Sequence, residues 1–296
     1  MRLIVGTRGS KLAIAQTEEV IESLKKAIGD IEIEKKIIKT HGDKFLTSSL
    51  IKIGERGIFT KELDIALLQR KIDFAVHSLK DLPTKLTEGV EIAAIPKRSS
   101  PYDVFFSLKG IKLEKIPPNS VVGTSSIRRK FQILNIRKDL NIKPIRGNVD
   151  TRIKKVLKGE YDGVILAEAG IKRLKLKIKY QKLNFLPAPG QGALAVTCRK
   201  NSKIAGILKK IEDKKTRYEV IAERTVLSKL GGGCHIPVGV LAKAENEKLR
   251  IRGIVIGEGK IIEASIKGRC EDYIQLGEKL AQKLLDSGAE NVIFNT

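Results

Sequence analysis

Tryptophan is absent from the 296-residue chain, and aromatic residues of all kinds make up 4% of it. Stacking platforms for unpaired bases are therefore scarce, no recognition motif offsets the shortage, and a nucleic-acid-binding role would rest on charge alone. Cysteine is nearly as rare: three residues, widely spaced and odd in number, argue against a disulfide framework. Three histidines without paired ligand spacing argue against zinc or another metal. No apolar run is long enough to span a bilayer, and no repeat or low-complexity segment occurs. The opening Met1-Arg2-Leu3-Ile4-Val5-Gly6 runs directly into strand-like residues, so the expectation is a cytoplasmic protein with no membrane partner.

What is present is ordinary apolar content, 42%, on a chain long enough for two or three domains. The formal charge is +23. Much of it comes from lysine spread along the whole chain, as on a solvated surface or in a heat-adapted composition. The arginines are more informative, because a planar guanidinium grips carboxylate or phosphate with a fork where lysine offers a point charge.

Those arginines recur at strand-to-helix turns. Ile4 and Val5 end a strand, and Thr7-Arg8-Gly9-Ser10 turns into a helix that Ser10 is placed to cap, which puts Arg8 and Ser10 at a helix N-terminus suited to anions. Residues 31–38 alternate like a half-buried strand, and Thr40-His41-Gly42-Asp43 turns out of it. A glycine-punctuated loop to Phe59 follows, then a helix over 61–70 capped by Thr60. Residues 73–77 read as a buried strand running into Ser78-Leu79-Lys80-Asp81-Leu82-Pro83. Strand ends in open α/β sheets are where ligands sit, so Asp81 beside Lys80 is either a catalytic carboxylate or an aspartate organising the turn before Pro83.

After a strand at 90–95, Pro96-Lys97-Arg98-Ser99-Ser100-Pro101 reads as a linker. Beyond it, Val121-Val122-Gly123 is a strand, Thr124-Ser125-Ser126 a polar turn, and Ile127-Arg128-Arg129 the start of a helix. The pattern repeats with a strand at 142–145, the turn Arg146-Gly147-Asn148 and a helix carrying Arg152, and again with a strand at 161–166 leading to Arg173. Several strand ends thus aim cations at one crevice, although any single arginine could equally lie on a solvated face. Residues 186–192 read as a second crossing, with 193–198 returning as a strand of the first domain. Cys198 reads as core and Cys270 as part of a charged turn. A helix near 217–230, three strand-like runs near 238–242, 249–256 and 261–266, and a helix over 272–285 suggest a small α+β domain.

Gly231-Gly232-Gly233-Cys234-His235-Ile236-Pro237 is a glycine loop that either presents a thiol for covalent chemistry or holds a buried cysteine as a small hydrophobe. A two-lobed anion receptor would share the cationic crevice, but it would need neither Cys234 on such a loop nor Asp81 among the arginines.

Taken together, Arg8-Gly9-Ser10 with Gln16, Gly57-Ile58-Phe59-Thr60-Lys61-Glu62-Leu63, His77-Ser78-Leu79-Lys80-Asp81-Leu82-Pro83, Gly123-Thr124-Ser125-Ser126-Ile127-Arg128-Arg129, Arg146-Gly147-Asn148, Pro189-Gly190-Gln191-Gly192 and Gly231-Gly232-Gly233-Cys234 carry a resemblance over nearly the full length. The chain resembles the porphobilinogen deaminases, also called hydroxymethylbilane synthases. The resemblance implies an α/β fold of two doubly wound, periplasmic-binding-protein-like lobes plus a smaller C-terminal α+β domain that carries a cofactor loop. The expected boundaries are 1–97 with 193–212, 101–187, and 214–296.

It also implies a transferase that deaminates four porphobilinogen molecules and joins them head to tail into hydroxymethylbilane, in tetrapyrrole biosynthesis. Growth is primed on a dipyrromethane cofactor held by thioether, by position at Cys234. Asp81 takes the catalytic role, steadying positive charge as ammonia leaves. Lys80, Asp81, Thr124, Ser126, Arg128, Arg129, Arg146 and Arg173 hold the cofactor; Arg8, Ser10, Gln16, Arg146 and Arg152 meet substrate. Phe59 and Lys61 match weaker positions, over a ring and beside a side-chain acid. Lys11 stands where proline is common and His235 where glutamine is common; His235 receives no role. The expected assembly is a monomer with porphobilinogen as its small-molecule partner and no nucleic acid.

Overall fold

The computed structural model describes residues 1–39, 60–232 and 236–294. Strand β1 (Arg2–Thr7) feeds helix α1 (Lys11–Ile28), followed by β2 (Glu32–Ile37), α2 (Lys61–Leu68), β3 (Phe74–Ser78) and β4 (Val90–Ala94). Then come β5 (Asp103–Ser107), β6 (Val121–Gly123), α3 (Ile127–Ile136), β7 (Asn141–Lys143), α4 (Val149–Leu157), β8 (Gly163–Ala167), α5 (Glu168–Arg173) and β9 (Gln181–Lys182). The chain continues through β10 (Leu194–Arg199), α6 (Ala205–Leu208) and α7 (Lys214–Lys229). It closes with β11 (Val238–Glu245), β12 (Lys248–Gly257), β13 (Lys260–Arg269), α8 (Tyr273–Asp286) and α9 (Ala289–Phe294). No helix among the described residues is long and apolar enough to cross a membrane. Two compact units result, Met1–Ser99 with Gly192–Arg217, and Ser100–Gln191 with Tyr218–Thr296.

The first unit holds a five-stranded mixed sheet ordered β2-β1-β3-β10-β4, in which β1 runs parallel to β2 and β3 while β10 runs antiparallel to β3 and β4. Helices cover both faces, which is why the central strands read as continuous apolar runs. Val20 and Leu24 of α1 pack with Val5, Phe74, Val76 and Val196. Leu63 and Leu67 of α2 pack with Ile72 and Ala75. Two expectations change here. The strand at 31–38, expected half-buried, is an edge strand with mostly exposed side chains; Glu34 pairs with Arg2 and Lys35 with Glu18. Helix α2 ends at Leu68, and Thr60 occupies its N-cap position without a side-chain capping bond.

The second unit contains a sheet with the same order and directions, β7-β6-β8-β5-β9, where β6 is parallel to β7 and β8 and β5 is antiparallel to β8 and β9. Phe105, Val122, Ile133 and Ile165 fill one face; Val104, Ile145, Val156 and Leu166 fill the other. A β-carbon on Gly163 would stand 2.3 Å from the Phe105 ring, so only glycine admits that ring between β5 and β8. Strand β5 was not foreseen: the sequence suggested nothing regular between the linker ending at Pro101 and Val121.

The unit also carries an antiparallel three-stranded sheet, β11-β12-β13, packed through Leu249, Ile251 and Val255 on Leu276, Leu280 and Leu284 of α8. The Cys270 thiol, expected in a charged turn, is buried in this core. Its neighbours Glu271 and Asp272 carry the charge of the turn while the thiol packs inward. The open edge of β11 is covered by acceptors: Val240 N–H donates to Pro187 O (2.9 Å), Ala242 N–H to Glu223 Oε1 (2.9 Å) and Ala244 N–H to Glu219 Oε1 (3.0 Å). Strand β11 comes so close to the preceding segment that a β-carbon on Gly239 would lie 2.6 Å from Leu186 O.

Candidate functional site

Within the first unit, β1 and β3 are parallel neighbours, so their carboxyl ends open at the same edge of the sheet. Ser10 caps α1 by accepting from Ala13 N–H (3.2 Å), which fixes the turn bearing the half-buried Arg8. Below that turn Thr7 Oγ1 and Thr17 Oγ1, both buried, are 2.8 Å apart. Gln16, buried on α1, donates to Ser78 Oγ at 2.7 Å and so ties the helix to the end of β3. Beyond Ser78 a 3-10 turn, Leu79–Asp81, anchors on buried Leu79 and leaves Lys80 half-buried and Asp81 exposed. Arg8, Ser10, Lys80 and Asp81 therefore follow the ends of two adjacent strands, and Gln16 of α1 reaches one of those ends through Ser78.

His77, one residue before Ser78, is buried with Nε2 3.1 Å from Thr197 Oγ1. Burial, reinforced by the Arg8 charge, pushes its pKa down to about 4. It is a neutral imidazole in the floor beneath Arg8, and the sequence singled it out only as part of a motif.

In the second unit, β6 ends in a turn where Ser126 caps α3 and its own N–H donates to Thr124 Oγ1 (3.2 Å). Ser125 Oγ donates to Ile145 O (2.8 Å) and accepts from Ile145 N–H (3.1 Å), locking this turn to the next. There Gly147 sits at φ 108, where a side chain would be strained and would meet Thr151. Arg146 is exposed. Half-buried Arg152 donates from Nε to Gly147 O (2.8 Å), and among the described residues no carboxylate lies within ion-pair distance of it. Burial, with the Arg129 charge added, lowers its pKa to about 10. A desolvated guanidinium without a counter-ion marks a place where an anion would be welcome.

Arg128 and Arg129, expected as cations aimed into a crevice, are buried and bonded to Asp103, the first residue of β5. Arg128 Nη1 donates to Asp103 Oδ2 (2.8 Å) and to Leu186 O (2.7 Å). Arg129 donates to Asp103 Oδ1 from Nη2 (2.7 Å) and Nε (3.1 Å), and from Nη1 to Ile165 O (3.1 Å). Burial alone would push the Asp103 carboxyl up; the two guanidinium groups outweigh it and hold the group well below the usual carboxylate range. Glu168, also buried, accepts from Tyr180 OH (3.0 Å), bonds Ser100 Oγ, and pairs with Lys172 (3.2 Å). Arg173 is half-buried in the last turn of α5.

Asp103 and Glu168 are the residues the sequence motifs did not supply. One signal for Asp103 was available: an acid opening the apolar run Val104-Phe105-Phe106 must be paired if that run is buried. Cys234 and His235, and residues 40–59 with Phe59 among them, lie outside the described residues. Lys61 opens α2 and is exposed.

Comparison with known proteins agrees across the whole chain. Residues 3–206 match the family model described as "Porphobilinogen deaminase, dipyromethane cofactor binding domain", and residues 217–286 match "Porphobilinogen deaminase, C-terminal domain". The porphobilinogen deaminase of Desulforamulus reducens is 42% identical over 99% of this chain and 97% of its own. The probable porphobilinogen deaminase of Nitrosopumilus maritimus is 43% identical over 100% of this chain and 96% of its own. That of Clostridioides difficile is 45% identical over 96% and 97%. With two strand-end clusters of fixed cations, an exposed acid on one of them, and matches that leave almost no part of the chain uncovered, the protein belongs to the porphobilinogen deaminase family.

Proposed function

We propose that this enzyme deaminates porphobilinogen and joins four molecules head to tail into hydroxymethylbilane, on a dipyrromethane cofactor bound through Cys234. The observation that carries the proposal is that each unit presents cations at its strand ends and that the first also presents an exposed carboxylate, Asp81, at the end of β3. Each pyrrole brings an acetate and a propionate, so a lengthening chain needs many fixed cations and few fixed anions.

Arg152, half-buried with no carboxylate of the described residues at ion-pair distance, fits a polycarboxylate of this kind. Lys80, Asp81, Thr124, Ser126, Arg128, Arg129, Arg146 and Arg173 would hold the cofactor, which when bound supplies the pyrrole α-carbon nucleophile that starts the chain. Arg8, Ser10, Gln16, Arg146 and Arg152 would receive the acids of incoming porphobilinogen. Asp81, on a turn held by buried Leu79, accepts from the pyrrole N–H and offsets positive charge as ammonia leaves. Neutral His77 adds no competing cation to that corner.

Intact mass tests the proposal. Protein produced with precursor available should be heavier than its polypeptide by a covalent adduct, should gain a ladder of pyrrole increments on addition of porphobilinogen, and should show bare polypeptide mass as Cys234→Ser. Bare mass in the unaltered protein would overturn the assignment. Asp81→Ala should keep the adduct and lose turnover; wild-type turnover would remove Asp81 from the chemistry.

A further inference from the structure

Asp103 is the post on which the second-unit cluster is built. Its carboxylate is fully buried and takes four side-chain hydrogen bonds: one from Arg128, two from Arg129, and one from Gln191 Nε2 at 2.9 Å. Gln191 Nε2 also donates to Pro101 O at 2.8 Å, so the post is itself braced against the segment just before β5. Each guanidinium is then clamped a second time by a main-chain carbonyl, Leu186 O for Arg128 and Ile165 O for Arg129. Two neighbouring guanidinium groups would repel and separate without an acid between them. With Asp103 in place they are fixed in orientation, and the trio carries one net positive charge instead of two.

Resting on the function proposed above, we propose that Asp103 is a positioning residue that holds the Arg128–Arg129 pair in fixed orientation for the carboxylates of the growing pyrrole chain and limits how tightly that pair grips them. A chain that lengthens one ring at a time must be released and regripped at each step. A doubly charged, unanchored pair does the opposite: it misorients the acids and holds them longer. Loss of Asp103 therefore slows elongation and makes part-elongated complexes accumulate.

The experiment compares cofactor-loaded wild type, Asp103→Asn and Gln191→Leu by steady-state turnover and by intact mass after limiting porphobilinogen. The wild type is read first: absence of an adduct and ladder there sinks the proposed function itself, before any variant is considered. Given a wild-type ladder, Asp103→Asn should lower kcat roughly ten- to hundredfold, the scale of a misplaced reactant, and shift the ladder toward intermediate species. Gln191→Leu, which removes the brace without altering charge, should move both readouts the same way by a smaller factor. A folded Asp103→Asn protein whose ladder and kcat match wild type overturns the proposal, even if its unfolding midpoint drops, because a purely structural role predicts that pattern. Should Asp103→Asn not fold, Gln191→Leu decides: a shifted ladder supports the proposal and an unchanged one overturns it.

Discussion

The two five-stranded sheets share one plan, and three of the places at which they differ decide whether charge is buried. In each, a serine caps the helix and accepts from the residue three places on, Ser10 from Ala13 and Ser126 from Arg129. In each, a buried glutamine sits six residues past the cap, Gln16 and Gln132. The second and third places inside the cap are Leu12 and Ala13 in α1 but Arg128 and Arg129 in α3. The antiparallel strand beside them opens with Leu194, opposite Ser78, in the first sheet and with Asp103, opposite Ala167, in the second. One backbone plan thus carries apolar residues at these three places in the first sheet and a bonded ion trio in the second. A buried acid without the arginines, or the arginines without the acid, would leave a charge uncompensated. The first unit keeps its floor neutral, with His77 and Thr197, and exposes its acid at Asp81; the second buries its acid and is left with net cation.

The sharpest way to break this comparison is Arg129→Leu, which strips Asp103 of half its counter-charge. It should cost about 3–5 kcal/mol in urea unfolding, whereas Ala13→Ser at the matching place should cost under about 1 kcal/mol. Equal costs would mean that the ion trio is no more than a decorated surface.

Acid titration separates the units next. His77 binds a proton more readily when unfolded, near pH 6.5, than when folded, near 4. Its contribution, at most about 3 kcal/mol, is therefore full above pH 6.5 and is lost as pH falls from 6.5 toward 4. Asp103, depressed in the folded state, contributes fully above about pH 4, the unfolded carboxyl value, and loses its contribution only below that. The His77→Gln variant should flatten the stability profile between pH 6.5 and 4 while leaving the steep loss below pH 4 in place. A slope unchanged in that variant would remove His77 as its source.

The smallest expected contrast lies in the paired glutamines. Gln132 accepts from Leu186 N–H (2.9 Å) and donates to Leu186 O (3.1 Å), so Gln132→Ala leaves a buried backbone group unsatisfied and should cost about 2–3 kcal/mol. Gln16→Ala leaves only the Ser78 hydroxyl, which can rotate to another partner, and should cost about 1 kcal/mol. Reversal of that order in thermal unfolding would show that the shared plan does not extend to how the helices are tied down.

Strand-turn-helix units were legible wherever the signal is local: Ser10 as a cap, Thr124-Ser125-Ser126 and Arg146-Gly147-Asn148 as turns ahead of helices, and Asp81 on the turn after β3 all follow from residues within a few places of one another. Strand β5 was not, because a proline-flanked approach and an aspartate mask a five-residue run whose burial depends on β8 and β9, far along the chain. The exposure of β2 was missed for the complementary reason: alternation sets which residues share a face, and only the number of neighbouring strands decides whether that face is covered.

The residue types at the strand ends, and hence their suitability for anions, were determined by sequence alone, since glycine, hydroxyl caps and guanidinium groups act through short-range geometry. Tertiary structure decided where those guanidinium groups point. Arg128 and Arg129 read the same whether they face solvent or core, and the choice was made by Asp103, about 25 residues earlier in sequence, brought beneath them by an antiparallel strand pairing. Burial of one carboxylate among two cations is a free-energy balance that exists only after the chain has folded.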